Sequence, residues 1–157
     1  MRKNIIQERI ELIKNGENPF FIAELQTGYV VIGDHQRFRG YTLFLSKSSA
    51  TELHQLDDKT RLVFLEEMSL VAESVWEAFK PDKLNYELLG NGDPHMHWHI
   101  FPRYKDDGVK GAVWWLPLKE MKVVLSDKEM KKIKATLILA IKNNQKLKGK
   151  IIKISEL

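Results

Sequence analysis

Apolar residues recur along this chain with two different periods, and the changes of period divide it into elements. Near the start Ile6, Ile10 and Ile13 fall four and three apart, the spacing of one helical face, and Gly16 follows as a stop. "FFIAEL" and "YVVIGD" are short runs rich in aromatic and β-branched residues. With "QTG" between them they predict two strands joined by a short turn, and "YTLFLS" predicts a third strand. From 57 to 79 the helical period returns. Leu62, Leu65, Met68, Ala72, Val75, Trp76 and Phe79 are assigned to one face, with Asp57 or Asp58 as cap and Pro81 as terminator.

"LNYELLG" and "HMHWHIF" predict two further strands on either side of the turn formers "NGDP". Ser126 and Glu129 have the spacing of a capping box, and Met130, Ile133, Leu137 and Ile141 give the helix behind them an apolar stripe. Mostly short connections with one long helix inserted imply a single α+β domain. Its sheet is expected to be mainly antiparallel and five-stranded, with further helices near both termini.

At 157 residues the chain is long enough to bury a core as one domain. The absence of cysteine excludes disulfides and thiolate metal sites. No apolar run reaches the roughly 20 residues of a membrane span, and the N-terminus has no apolar signal core. The expectation is a soluble cytoplasmic protein with no membrane partner. The net charge of +4 is unevenly placed. Residues 126–157, the last helix and a basic tail, hold most of the excess. Those lysines have no aromatic residue among them to stack on a base, which argues for a solvated helix face rather than a nucleic-acid surface.

Three of the five histidines stand at 95, 97 and 99, in "HMHWH". On a strand over 95–101 they share one face, and Met96, Trp98 and Ile100 share the other. Alternate positions lie about 6.5 to 7 Å apart, so neighbouring imidazoles can act on one ligand. Four readings are open: a polar strand face without function; a metal site completed by His35, His54 or a carboxylate; acid–base and nucleophilic work on phosphorus by neutral imidazoles; and a nucleotide pocket without turnover.

"HMHWHIFPR" resembles the motif of the histidine triad (HIT) superfamily, three histidines alternating with hydrophobic residues before two more hydrophobic positions, here Ile100 and Phe101. Pro102 and Arg103 are similar to the fragile-histidine-triad branch of diadenosine polyphosphate hydrolases, and "GYTLFLSK" resembles the strand upstream of the triad. The resemblance covers roughly residues 20 to 104. It implies a HIT-like fold, a purine nucleotide as substrate, a homodimer using "LNYELLG" and the long helix, and hydrolysis at an α-phosphorus. A dinucleoside polyphosphate or related nucleotidyl conjugate is the implied substrate class, with a phosphoramidase, a nucleotidyl transferase or a binding protein as alternatives.

By the same resemblance His97 is the nucleophile, His99 contacts the phosphate beside the leaving group, and His95 orients the cluster. Asn91 and Gly92, in the short "GNGDP" loop, are expected at the phosphate, and Asp34 at the ribose hydroxyls. Tyr41 stands where many members carry a fourth histidine; its hydroxyl or His35 is expected to support the triad. No cofactor or metal is implied for the protein's part, although substrate can arrive with Mg²⁺. Arg103 is open between a phosphate contact and a salt bridge. Trp114 and Trp115 are open between a leaving-group pocket and a seal on the core.

Overall fold

The computed structural model describes residues 4–156, apart from the side chains of Trp115 and Leu118. Helix α1 (Ile5–Lys14) leads into β1 (Phe21–Glu24), β2 (Gly28–Ile32) and β3 (Thr42–Ser46). The long helix α2 (Asp58–Phe79) follows, then β4 (Lys83–Glu87) and β5 (His97–Arg103). A short turn of helix, α3 (Leu118–Met121), precedes α4 (Asp127–Asn143) and β6 (Lys153–Ile154). The sheet runs in the order β4-β5-β3-β2-β1-β6, and its ladders are antiparallel.

The sheet is buried on both faces. On one, Ile22, Phe44 and Ile100 pack with Phe64 and Val75 of α2 and Leu137 of α4. On the other, Ile6, Ile10 and Ile13 of α1 pack over Tyr29, Leu43 and Phe101. Every residue of β2 and β3 is buried, which is why "YVVI" and "TLFL" read as continuous apolar runs rather than as alternation. Gly40, at φ 91°, lets the β2–β3 connection pass Phe79, where an added Cβ would lie 2.3 Å from Cδ2.

Three expectations need correction. The sheet has six strands, because the tail does not remain a solvated helix face: it turns at Asn144 and adds β6 beside β1. Leu147 is fully buried, and Lys146 and Lys150 pair with Glu73 and Glu66 of α2, so part of the basic excess serves to hold the tail down. The buried face of α2 is Phe64, Val71, Ala72, Val75 and Phe79, whereas Leu62 and Trp76 are exposed. Glu67 sits in that buried face. Its carboxylate accepts the amides of Gln26 and Thr27 and the Thr27 hydroxyl, which closes the β1–β2 turn onto the helix. Finally, β5 begins at His97 and runs to Arg103, so His95 precedes the ladder.

Candidate active site

Strand β5, second from the edge of the sheet, lies between β3 and β4, with His97 opposite Leu45 and His99 opposite Leu43. His97, His99 and Phe101 share the face that α1 covers. Their rings form a row, with His97 and His99 4.7 Å apart and His99 and Phe101 5.7 Å apart between centroids. The histidine face is therefore the end of a second core. Met96 and Ile100, on the opposite face, are buried as the alternation predicts.

Each imidazole is oriented by a different acceptor or donor. Nδ1 of His97 lies 2.6 Å from the carbonyl of His95. A carbonyl only accepts, so Nδ1 carries the proton and Nε2 keeps its lone pair. Nε2 of His95 lies 2.7 Å from the carbonyl of Ser46 and is the protonated nitrogen there, while its Nδ1 is buried without a partner among the described residues. Nδ1 of His99 lies 2.6 Å from the hydroxyl of Tyr41. Burial holds His97 below the ordinary imidazole range. Burial, aided by the charges of His97 and Arg9, pushes His99 down to about 3. Burial also drives the Tyr41 phenol well above its usual range. At neutral pH the face thus presents two uncharged imidazoles and an intact phenol.

His97 opens on a cavity of about 150 Å³ shared with Thr51, Glu52, Asn91, Pro94 and Met96. The larger groove, about 620 Å³ between α2 and α4, lies elsewhere and holds no histidine. Asp93 anchors the loop: one carboxylate oxygen accepts the amide of His95 at 3.1 Å and the other the amide of Ile6 in α1 at 2.8 Å. Gly90, at φ 66°, supplies the left-handed residue of this loop, and an added Cβ at Gly92 would meet nothing within 4 Å.

Asp34 is reached by α1, with Arg9 Nη2 2.6 Å from Oδ2. Tyr41 touches the triad, whereas Nδ1 of His35 is buried with no partner among the described residues. His54 is exposed in the 3₁₀ turn Leu53–Gln55. Arg103 is bound into the fold by Asp107, Asn85 and the carbonyl of Gly111. Trp114 is exposed, and the side chain of Trp115 lies outside the described residues. Among the described residues no three His, Asp or Glu side chains converge as a ligand set for a metal.

Sequence reasoning missed Arg9 and the carboxylate of Asp93. Arg9 did leave a signal, since it falls three after Ile6 and four before Ile13, on the flank of the buried stripe. The reach of Asp93 to α1 left none, because the Ile6 amide is 87 positions away.

Residues 17–106 match the HIT domain, and the chain belongs to that family. The protein named Protein hit from Bacillus subtilis is 32% identical over 83 residues, a match covering 48% of this chain and 56% of that protein. The chain thus spans a little over half the length of that relative. Among solved structures, a histidine triad protein from Bradyrhizobium japonicum superposes with a TM-score of 0.71 at 25% identity, covering 82% of this chain and 94% of its own. A hypothetical histidine triad nucleotide-binding protein from Sulfolobus tokodaii gives 0.69 at 17% identity, covering 90% of this chain and 96% of its own. The α+β fold with its antiparallel sheet is that of these proteins. No helix among the described residues is long and apolar enough to cross a membrane.

Proposed function

We propose that the protein is a nucleotide hydrolase that cleaves at the α-phosphorus of a dinucleoside polyphosphate or related nucleotidyl conjugate. The observation that carries this is the hydrogen bond from Nδ1 of His97 to the carbonyl of His95. It fixes the tautomer with a lone pair on Nε2, in a ring that lines a cavity and that burial keeps neutral. HIT proteins as a family handle nucleotides, and the triad geometry supports the same chemistry here.

The steps follow from the tautomers. Nε2 of His97 attacks the α-phosphorus, and the bond from phosphorus to the leaving oxygen breaks. His99, with Tyr41 at Nδ1, carries its proton on Nε2 and donates it in a hydrogen bond to the departing oxygen, which leaves as the phosphate anion. Water then attacks phosphorus, the N–P bond breaks and returns neutral His97, and the water's proton passes to solvent. Covalent catalysis divides one difficult displacement into two. N–H donors around the phosphoryl oxygens stabilise the charge that spreads over them. His95 holds the carbonyl that orients His97. Asn91 and the backbone near Gly92 are assigned to phosphate oxygens and Asp34 to ribose hydroxyls. The cavity suits a phosphoryl group rather than a whole nucleotide, which must extend out of it. In this reading the protein's part needs no metal, and substrate can bring Mg²⁺ with it.

The unpaired edge of β4, with exposed Tyr86, and the exposed Leu62 and Trp76 of α2 support a homodimer formed on that side. The test of function is turnover on a panel: diadenosine polyphosphates, adenosine phosphoramidate, AMP-lysine and nucleotide sugars, with and without EDTA. Cleavage of diadenosine polyphosphate to AMP, lost in His97→Asn, is the expected result. AMP binding with no turnover of any member would replace the hydrolase by a binding protein.

A further inference from the structure

Helix α1 precedes the residues that match the HIT domain, yet it packs on the histidine face of the sheet and brings Arg9 near enough for its charge to act on His97 and His99. Ile6, Ile10 and Ile13 fix the helix there, each buried. Arg9 leaves the flank of that stripe, and its side chain is only 25% exposed. Its contact with Asp34 is end-on, from one guanidinium nitrogen to one carboxylate oxygen. The remaining guanidinium donors have no partner among the described residues. A half-buried guanidinium with unused donors is a fork prepared for an oxyanion.

Three contacts lead from this fork to the triad. Arg9 holds Asp34. Gly33, the residue before Asp34, donates its amide to the Tyr41 carbonyl at 2.8 Å and leaves room for the Tyr41 ring, since an added Cβ would lie 2.2 Å from Cδ1. The Tyr41 hydroxyl reaches His99. The charge of Arg9 is felt at both His97 and His99, where it favours the neutral imidazole. The charge balance points the same way. Of the two neutral imidazoles His99 offers one N–H and His97 a lone pair, so neither brings positive charge, and the adjacent loop contributes the carboxylate of Asp93.

We infer that Arg9 is a substrate-binding residue whose N–H groups beyond the one on Asp34 bind phosphate oxygens of the nucleotide, with Asp34 holding the guanidinium in place. The inference rests on the proposal that the His97–His99 face receives a nucleotide phosphate. It makes α1, and not the HIT domain alone, part of the recognition of the anion.

The experiment is calorimetric titration of adenosine and of AMP into the wild type, Arg9→Gln and Arg9→Lys. Arg9→Gln is expected to weaken AMP by about ten-fold or more, the range for a charged hydrogen bond, and to leave adenosine unchanged. Arg9→Lys keeps the charge without the fork and should fall between for AMP alone; it is the variant to read if Arg9→Gln does not fold. Equal weakening of adenosine and AMP would overturn the inference by showing that Arg9 acts only through Asp34. Unchanged AMP binding would overturn it as well, with the nucleotide reading intact. A wild type that binds neither ligand would remove the nucleotide reading and this inference with it.

Discussion

The Tyr41 hydroxyl lies 2.6 Å from Nδ1 of His99, with the two rings stacked 5.9 Å apart between centroids. Burial keeps the phenol protonated and His99 neutral, so the hydroxyl donates and Nδ1 accepts. The proton of His99 is thereby placed on Nε2, where the proposed hydrogen bond to the leaving oxygen needs it. A tyrosine suffices at this position because the contact asks for a donor at one point in space. Tyr41→Phe should lower kcat by about ten-fold or more with little change in AMP affinity, and Tyr41→His should recover most of the loss. Steady-state kinetics beside AMP titration checks this; a Phe variant with full turnover would remove Tyr41 from the mechanism.

The tail is expected to matter for stability and little for charge. Leu147 is fully buried against the α2 and α4 side of the sheet, so Leu147→Ala should cost about 2–5 kcal/mol. Lys150→Ala removes only a partly exposed pair with Glu66 and should cost less than about 1 kcal/mol. Urea unfolding curves separate the two. Equal, small effects would mean that the tail is not docked in solution.

These residues also show where the sequence was legible. Ile6, Ile10 and Ile13 disclosed α1 because a stripe that repeats over several turns has one packing solution. The triad was legible because three histidines in alternation, with Met96 and Ile100 between and after them, match the period of a strand. The face of α2 was misplaced because Leu62 and Trp76 are as apolar as Phe64 and Val71. Periodicity does not tell a stripe facing the core from one left at the surface. Strand β6 was missed because two residues carry no period, and its pairing with Ala23 and Glu24 comes from the far end of the chain. Arg9–Asp34 and Asp93–Ile6 were illegible for the same reason: a side chain's partner across 25 or 87 positions is set by tertiary packing.

The protonation state of the histidine face gives a pH prediction. Folded pKa values of His97 and His99 lie below the ordinary imidazole value of about 6.5. The unfolded chain therefore binds more protons as pH falls through 6.5, and the native state loses stability from there down toward the folded value, about 3 for His99. Above pH 6.5 the effect is absent. NMR titration should find neither ring protonating near its ordinary pH, and the wild type should lose stability relative to His99→Gln as pH falls below about 6.5. Titration of His99 at or above its ordinary value would contradict the buried, neutral state.

The central claim is that Nε2 of His97, freed by the bond from Nδ1 to the His95 carbonyl, becomes covalently bonded to the α-phosphorus. The direct measurement is rapid quenching during turnover of diadenosine polyphosphate labelled in its adenosine, followed by peptide mapping. The account predicts acid-labile label on His97. It also predicts a His97→Gly variant that still binds AMP but turns over slower by several powers of ten. Label on any other residue, or a His97→Gly protein with near-normal turnover, would contradict it.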